Sequence, residues 1–126
     1  MKQLALLLLL GLGSLLHISC KKEPAAGEVL IRVKNASSYQ FQSVQVIAPG
    51  GENSYGALGT GEETAYAAYP TAYKYAYVKV LIDGQEFVFQ PIDYVGEAPL
   101  GPGKYAYVLS VANITQGNLT LTLEKQ

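Results

Sequence analysis

The sequence predicts an all-β domain, a single antiparallel sandwich of about seven to eight short strands. Three observations carry this. From Glu28 onward, β-branched and aromatic residues alternate with polar ones and no stretch keeps a helical period. Gly, Pro and Asn clusters interrupt the pattern at Pro49-Gly50-Gly51, Gly59-Thr60-Gly61 and Gly101-Pro102-Gly103. Asp83-Gly84 separates two strand-like runs and suits a two-residue hairpin turn. The chain is 126 residues, enough for one domain.

Residues 1–19 stand apart. Met1-Lys2-Gln3 is a short basic start, and an apolar run from Leu4 to Leu16 follows. As a helix this run reaches only about 20 Å, short of the ~30 Å hydrocarbon core of a bilayer. It has the length of a signal-peptide apolar region, and its all-apolar Leu6–Leu10 stretch has no polar face to turn outward from a folded core. A signal-peptide helix over 1–19 is therefore expected to precede the domain. Residues 20–27 contain Lys21-Lys22-Glu23-Pro24-Ala25-Ala26-Gly27, a polar tether without apolar periodicity. The β-domain occupies 28–126.

Within that domain the candidate strands are Val29–Asn35, Phe41–Ala48, Ser54–Leu58, Thr64–Tyr69, Tyr73–Ile82, Gln85–Gln90, Tyr105–Ile114 and Leu119–Glu124. A two-residue turn at Asp83-Gly84 pairs Ile82 with Gln85, Val80 with Phe87 and Val78 with Phe89. Ala76, Val78, Val80, Ile82, Phe87 and Phe89 then share a core face, leaving Tyr73, Tyr75 and Tyr77 on the wetter one. The pentapeptide Lys74–Val78 recurs identically as Lys104–Val108. If Gln116-Gly117 closes the last hairpin, Ile114 pairs with Leu119 and Ala112 with Leu121. Tyr105 and Tyr107 then face outward as well. Leu109 and Val111 share the tyrosine side in this register, and a three-residue loop would invert it.

Composition excludes several function classes. A formal charge of −1, with 15% charged residues, gives no basic stripe and no nucleic-acid partner. The single histidine, His17, lies in the leader, so histidine-based triads and imidazole metal sites are excluded from the mature chain. One cysteine excludes a disulfide framework. No cofactor is expected, and no catalytic residue or metal ligand is assigned. The long connection Pro91–Lys104 holds Asp93, Tyr94 and Glu97, and loops of this length are often functional. Two carboxylates fall short of a calcium ligand set, and carboxylate-dependent hydrolysis by Asp93 and Glu97 is the distant alternative. Tyr73, Tyr75, Tyr77, Tyr105 and Tyr107 are the candidate binding residues, because tyrosine gives a flat contact face and a hydroxyl at low entropy cost. The competing reading is that tyrosines simply cover a sheet face. Asn35, Asn113 and Asn118 head glycosylation-type tripeptides and are read as turn and strand-end residues.

His17-Ile18-Ser19-Cys20 resembles the lipobox of bacterial lipoproteins, with Ser19 in the small position and His17 where Leu or Val is usual. The resemblance implies acylation of Cys20 and cleavage before it; a cysteine lying here by chance is the alternative. Several acyl chains hold far more firmly than one. Lys21 replaces the aspartate that retains some lipoproteins at the inner membrane, and the charged cluster resembles Bacteroidetes-type export signals. This implies an outer-membrane lipoprotein, with the leaflet, periplasmic or surface, left open. Ile31–Ser37, Ser43–Val46 and Tyr55-Gly56 resemble an uncharacterised bacterial envelope domain, implying an immunoglobulin-like or prealbumin-like sandwich. The expected function is a lipid-anchored, non-catalytic binding or assembly module. Its partner would be an envelope protein or a glycan; the alternative is a structural envelope component without a ligand.

Overall fold

The computed structural model describes residues 27–126. The expected leader over 1–19, Cys20 and the tether up to residue 26 lie outside the described residues. The described chain is all-β, without a helix, in eight strands. They are β1 (Val29–Asn35), β2 (Ser43–Ala48), β3 (Gly51–Ser54), β4 (Ala67–Tyr69), β5 (Tyr77–Ile82), β6 (Gln85–Phe89), β7 (Gly103–Asn113) and β8 (Asn118–Lys125).

All eight join one mixed sheet in the order β3-β2-β5-β6-β8-β7-β1-β4, where the sequence predicts antiparallel pairing throughout. Two pairings are parallel, β1 with β7 and β6 with β8. Parallel neighbours need a long connection, and almost the whole domain lies between β1 and β7. The sheet curls nearly into a barrel, bringing its edges β3 and β4 together. Asn53 Nδ2 donates to the Ala68 carbonyl at 3.2 Å, and the Tyr55 and Tyr69 hydroxyls lie 2.8 Å apart.

The β5–β6 hairpin has the predicted register, with Ile82 opposite Gln85, Val80 opposite Phe87 and Val78 opposite Phe89. Asp83 and Gly84 both take positive φ, 51° and 77°, as the two-residue turn requires. Ala76, Val78, Val80, Ile82 and Phe87 are buried accordingly, while Phe89 packs at the core margin.

Every predicted strand except Val29–Asn35 shifts at an end. Ser54–Leu58 moves to Gly51–Ser54, because Pro49-Gly50 forms a tight turn that pairs Ala48 with Gly51. A Cβ on Gly50 would come within 2.8 Å of the Thr71 nitrogen, so that turn admits little else. Phe41 and Leu58 survive as an isolated bridge rather than as strand residues. Thr64 leaves the ladder and gives its hydroxyl oxygen to the Val33 N–H at 3.0 Å. Residues 73–76 also leave it: Tyr73 O accepts from the Tyr107 hydroxyl at 2.6 Å, and Ala72 O from Leu100 N at 2.8 Å.

The last hairpin overturns its predicted register. Val111 faces Leu119, Leu109 faces Leu121 and Tyr107 faces Leu123, with an irregularity between Val111 and Asn113. The turn holds four residues, and Asn113 Oδ1 closes it by accepting from Thr115 N, Thr115 Oγ1 and Gln116 N. The extra residue at the bulge and the longer turn move the pairing by an odd number of positions, which exchanges faces. Tyr105 and Tyr107 therefore point inward, 6% and 0% exposed. They join Ile31, Phe41, Tyr69 and Leu109 in the core.

Candidate functional site

The strand directions gather one set of loops at one end of the barrel. Tyr77 begins β5, Phe89 ends β6 and Ala48 ends β2, so the 70–76 segment, the Pro91–Pro102 connection and the Pro49-Gly50 turn emerge together. The predicted tyrosine row meets the predicted loop here. Tyr94 reaches back from the loop and places its ring 4.9 Å from that of Tyr73 and 5.6 Å from that of Tyr75. The interplanar angles, 33° and 21°, are those of tilted and offset stacking, worth about 1 kcal/mol per pair beyond the area buried.

Short-range bonds fix the loop beneath these rings. Asp93 Oδ1 accepts from Val95 N at 3.0 Å, and Tyr94 O from Glu97 N at 3.0 Å. Lys74 Nζ lies 3.6 Å from Glu97 Oε1, and the Tyr75 hydroxyl donates to Asp93 O at 3.4 Å. Partial burial, with the Glu97 and Asp93 carboxylates nearby, raises the Tyr75 pKa above the ordinary phenol value. Burial and the neighbouring Tyr75 raise that of Tyr94, against a backbone hydrogen bond at Tyr77. Both rings act as stacking faces, and the Tyr75 hydroxyl is also a hydrogen-bond donor.

The two carboxylates singled out in the sequence, Asp93 and Glu97, both line one shallow depression beside Tyr75, but each is engaged locally. Asp93 shapes its own turn, and Glu97 is held by Lys74. Among the described residues no group of three or more His, Cys, Asp or Glu is placed to hold a metal ion.

Beside these carboxylates the loop presents aliphatic side chains. Ile92 is 98% exposed and Val95 87% exposed, and Ile47 adds a partly exposed side chain from β2. Two shallow depressions flank Pro91. One, of about 530 Å³, runs between Tyr75, Phe89, Ile92 and Val95, with Asp93 and Glu97 also lining it. The other, of about 300 Å³, lies between Ile47, Pro49, Tyr77 and Tyr94. Of the predicted binding residues, Tyr73, Tyr75 and Tyr77 belong to this surface, together with Tyr94 of the predicted loop. Tyr105 and Tyr107 do not; they are core residues whose hydroxyls donate to Gly101 O and Tyr73 O. Sequence reasoning missed Ile92, Val95 and Ile47. The signal was there for the first two: bulky aliphatics in a Pro- and Gly-rich connection with no strand pattern to bury them.

A second tyrosine group sits inside. Tyr55 donates to Ile31 O at 2.9 Å and meets the Tyr69 hydroxyl. Burial pushes the pKa values of Tyr55, Tyr69 and Tyr107 upward, so this group is held neutral. Outside, Tyr66 receives the Arg32 guanidinium at 4.9 Å and the Lys104 ammonium at 5.4 Å, with Arg32 paired to Glu63 at 2.9 Å.

Among the described residues no helix is long and apolar enough to cross a membrane. No family model and no curated protein matches the sequence. Among solved structures the chain is similar to the NMR structure of a protein from Eubacterium rectale. That chain is 13% identical, with a TM-score of 0.56, over 79% of this chain and 91% of the other. At that identity the likeness is one of fold.

Proposed function

We propose that this chain is a lipid-anchored protein of the bacterial outer membrane that works as a non-catalytic binding or assembly module. Its contact surface is the end of the barrel built from Tyr73, Tyr75, Tyr77 and the Pro91–Lys104 loop. The observation that carries this is the Tyr94 ring stacked on Tyr73 and Tyr75, which fixes a loop whose aliphatic side chains point to solvent. A loop pinned by stacking and hydrogen bonds presents its apolar side chains without an ordering cost at the moment of contact. The engagement of Asp93 by its own turn and of Glu97 by Lys74, with no histidine among the described residues, supports recognition rather than bond-making. The lipobox-like His17–Cys20 segment supports the anchor. The finer fold reading is a sandwich of the immunoglobulin-like or prealbumin-like kind. It is supported by the halves β3-β2-β5-β6 and β8-β7-β1-β4, which are joined by one residue pair, Val88 with Asn118.

The test is capture of partners from intact cells by the tagged, full chain. Replacing Tyr73, Tyr75 and Tyr77 with Ala is expected to abolish capture while membrane fractionation persists. The pair Ile92→Ser and Val95→Ser, at fully exposed positions, is expected to weaken it without touching the fold. Unchanged capture by both variants overturns the surface assignment. Cys20→Ala is expected to release the protein from membranes, and a variant that stays membrane-bound overturns the anchor.

A further inference from the structure

The end of the barrel that carries the apolar loop is also the end at which the chain enters it. Val29 begins β1 opposite Gly103 and Tyr69, so β1 starts where β7 starts and β4 ends. The connection to the tyrosine surface is short. Gly103 N donates to Glu28 O at 3.1 Å, and three residues earlier Leu100 N donates to Ala72 O, beside Tyr73. Resting on the anchored reading above, Cys20 is separated from Glu28 by eight peptide units, at most about 29 Å of fully extended chain. The opposite end, with Tyr39 and the Asp83-Gly84 turn, is separated by the length of β7, about 33 Å for an eleven-residue strand.

We propose that the tip of this surface rests on lipid, with Ile92 and Val95 entering the interface and Tyr73, Tyr75 and Tyr94 at headgroup level, leaving the Ile47, Pro49 and Tyr77 flank to the captured partner. Side-chain chemistry at the tip matches that depth. The two most exposed large hydrophobic residues described lie at the projecting position, and behind them stand aromatic rings with polar hydroxyls, the type of residue that partitions to membrane–water boundaries. Lys74 and Glu97 form an ion pair, and the neighbouring Asp93 leaves the tip with a single negative charge, so attraction to lipid rests on the aliphatic and aromatic side chains. Two aliphatic side chains alone hold a protein to lipid only transiently. A short tether that ends at the same face makes the encounter intramolecular, and a weak contact is then occupied most of the time. The barrel would stand on the membrane in one orientation, its Tyr39 end directed away.

The protein has no tryptophan, so a single introduced one reports its own surroundings. The experiment uses the lipidated chain carrying Ile92→Trp, reconstituted into vesicles of phosphatidylethanolamine and phosphatidylglycerol whose acyl chains carry bromine. A second protein carries Tyr39→Trp, at a half-exposed side chain whose backbone, not its ring, makes the local hydrogen bonds. Co-flotation with the vesicles is measured first. The expected result is a blue-shifted emission at position 92 that loses about half its intensity to bromine, and an unquenched emission at position 39. Flotation without quenching at 92 overturns the lipid contact and leaves the anchor standing. A blue shift at 92 without bromine quenching overturns it in favour of a protein partner at the same surface. Failure to float overturns both the anchor and the contact that depends on it.

Discussion

Lys74–Val78 and Lys104–Val108 are the same five residues in opposite orientations. In the first copy Ala76 and Val78 are buried and the tyrosines stand half-exposed; in the second Tyr105 and Tyr107 are buried. Identical local propensity thus gives no information about facing. The deciding factor is the turn that fixes each strand's pairing. A two-residue turn with two positive φ angles sets β5 against β6, whereas a four-residue turn and a bulge set β7 against β8. The inward copy supplies core volume, and the outward copy supplies the candidate surface. They touch where the Tyr107 hydroxyl donates to the Tyr73 carbonyl.

The comparison is broken most sharply by truncating equivalent tyrosines. Tyr107→Ala is expected to destabilise the fold by about 4 kcal/mol, in the range of large-to-small changes at fully buried aromatics, against about 1 kcal/mol for its counterpart Tyr77→Ala. Denaturant unfolding of the two variants measures the difference, and equal losses would remove the distinction between the copies.

Alkaline pH separates the same groups without mutation. Burial raises the Tyr107 and Tyr55 pKa values above the unfolded value near 10, so the folded state retains protons that the unfolded chain releases. Stability is then constant below about pH 10 and falls above it, by about 1.4 kcal/mol per pH unit for Tyr107 alone. Tyrosinate absorbance is expected to appear first from exposed tyrosines, with the buried ones ionising only as the fold opens. A single titration step in folded protein would contradict their burial.

Smaller effects sharpen the boundary between the regions. Gly84→Ala, at φ 77°, is expected to cost about 1 kcal/mol by strain in the hairpin that orients the outward copy. Tyr107→Phe keeps the ring and removes one donor from Tyr73 O, also about 1 kcal/mol. Ile92→Ser is expected to fall within about 0.5 kcal/mol of the parent, since nothing packs on that side chain.

How much was legible follows from the same logic. Asp83-Gly84 named its turn type, so the β5–β6 register and its core face could be read directly. The bulge beside Ala112 has no sequence signature, and the register of the last hairpin was therefore misread together with Tyr105 and Tyr107. Tyr73, Tyr75, Tyr77, Tyr94, Asp93 and Glu97 were each legible as candidates. Their meeting was not, because it depends on β5 beginning and β6 ending at the same level of the barrel. The parallel β1–β7 pair was equally hidden, since pairing across most of the chain leaves no local pattern. Asn35, read as a strand-end residue, has a fuller role: its amide donates to Tyr39 O and Leu58 O while its carbonyl accepts from Ser37.

The near-closure between β3 and β4 has a consequence for life in a crowd of identical molecules. Short outer strands with free amides invite a stranger's backbone to add on, and repetition of that event grows fibrils. Here the Asn53 amide reaches across to the Ala68 carbonyl, Pro70 follows β4 directly, and the two margins face one another instead of the surroundings. On the anchored reading proposed above, a chain concentrated in two dimensions would meet its copies often, and the facing margins leave them little open edge on which to polymerise.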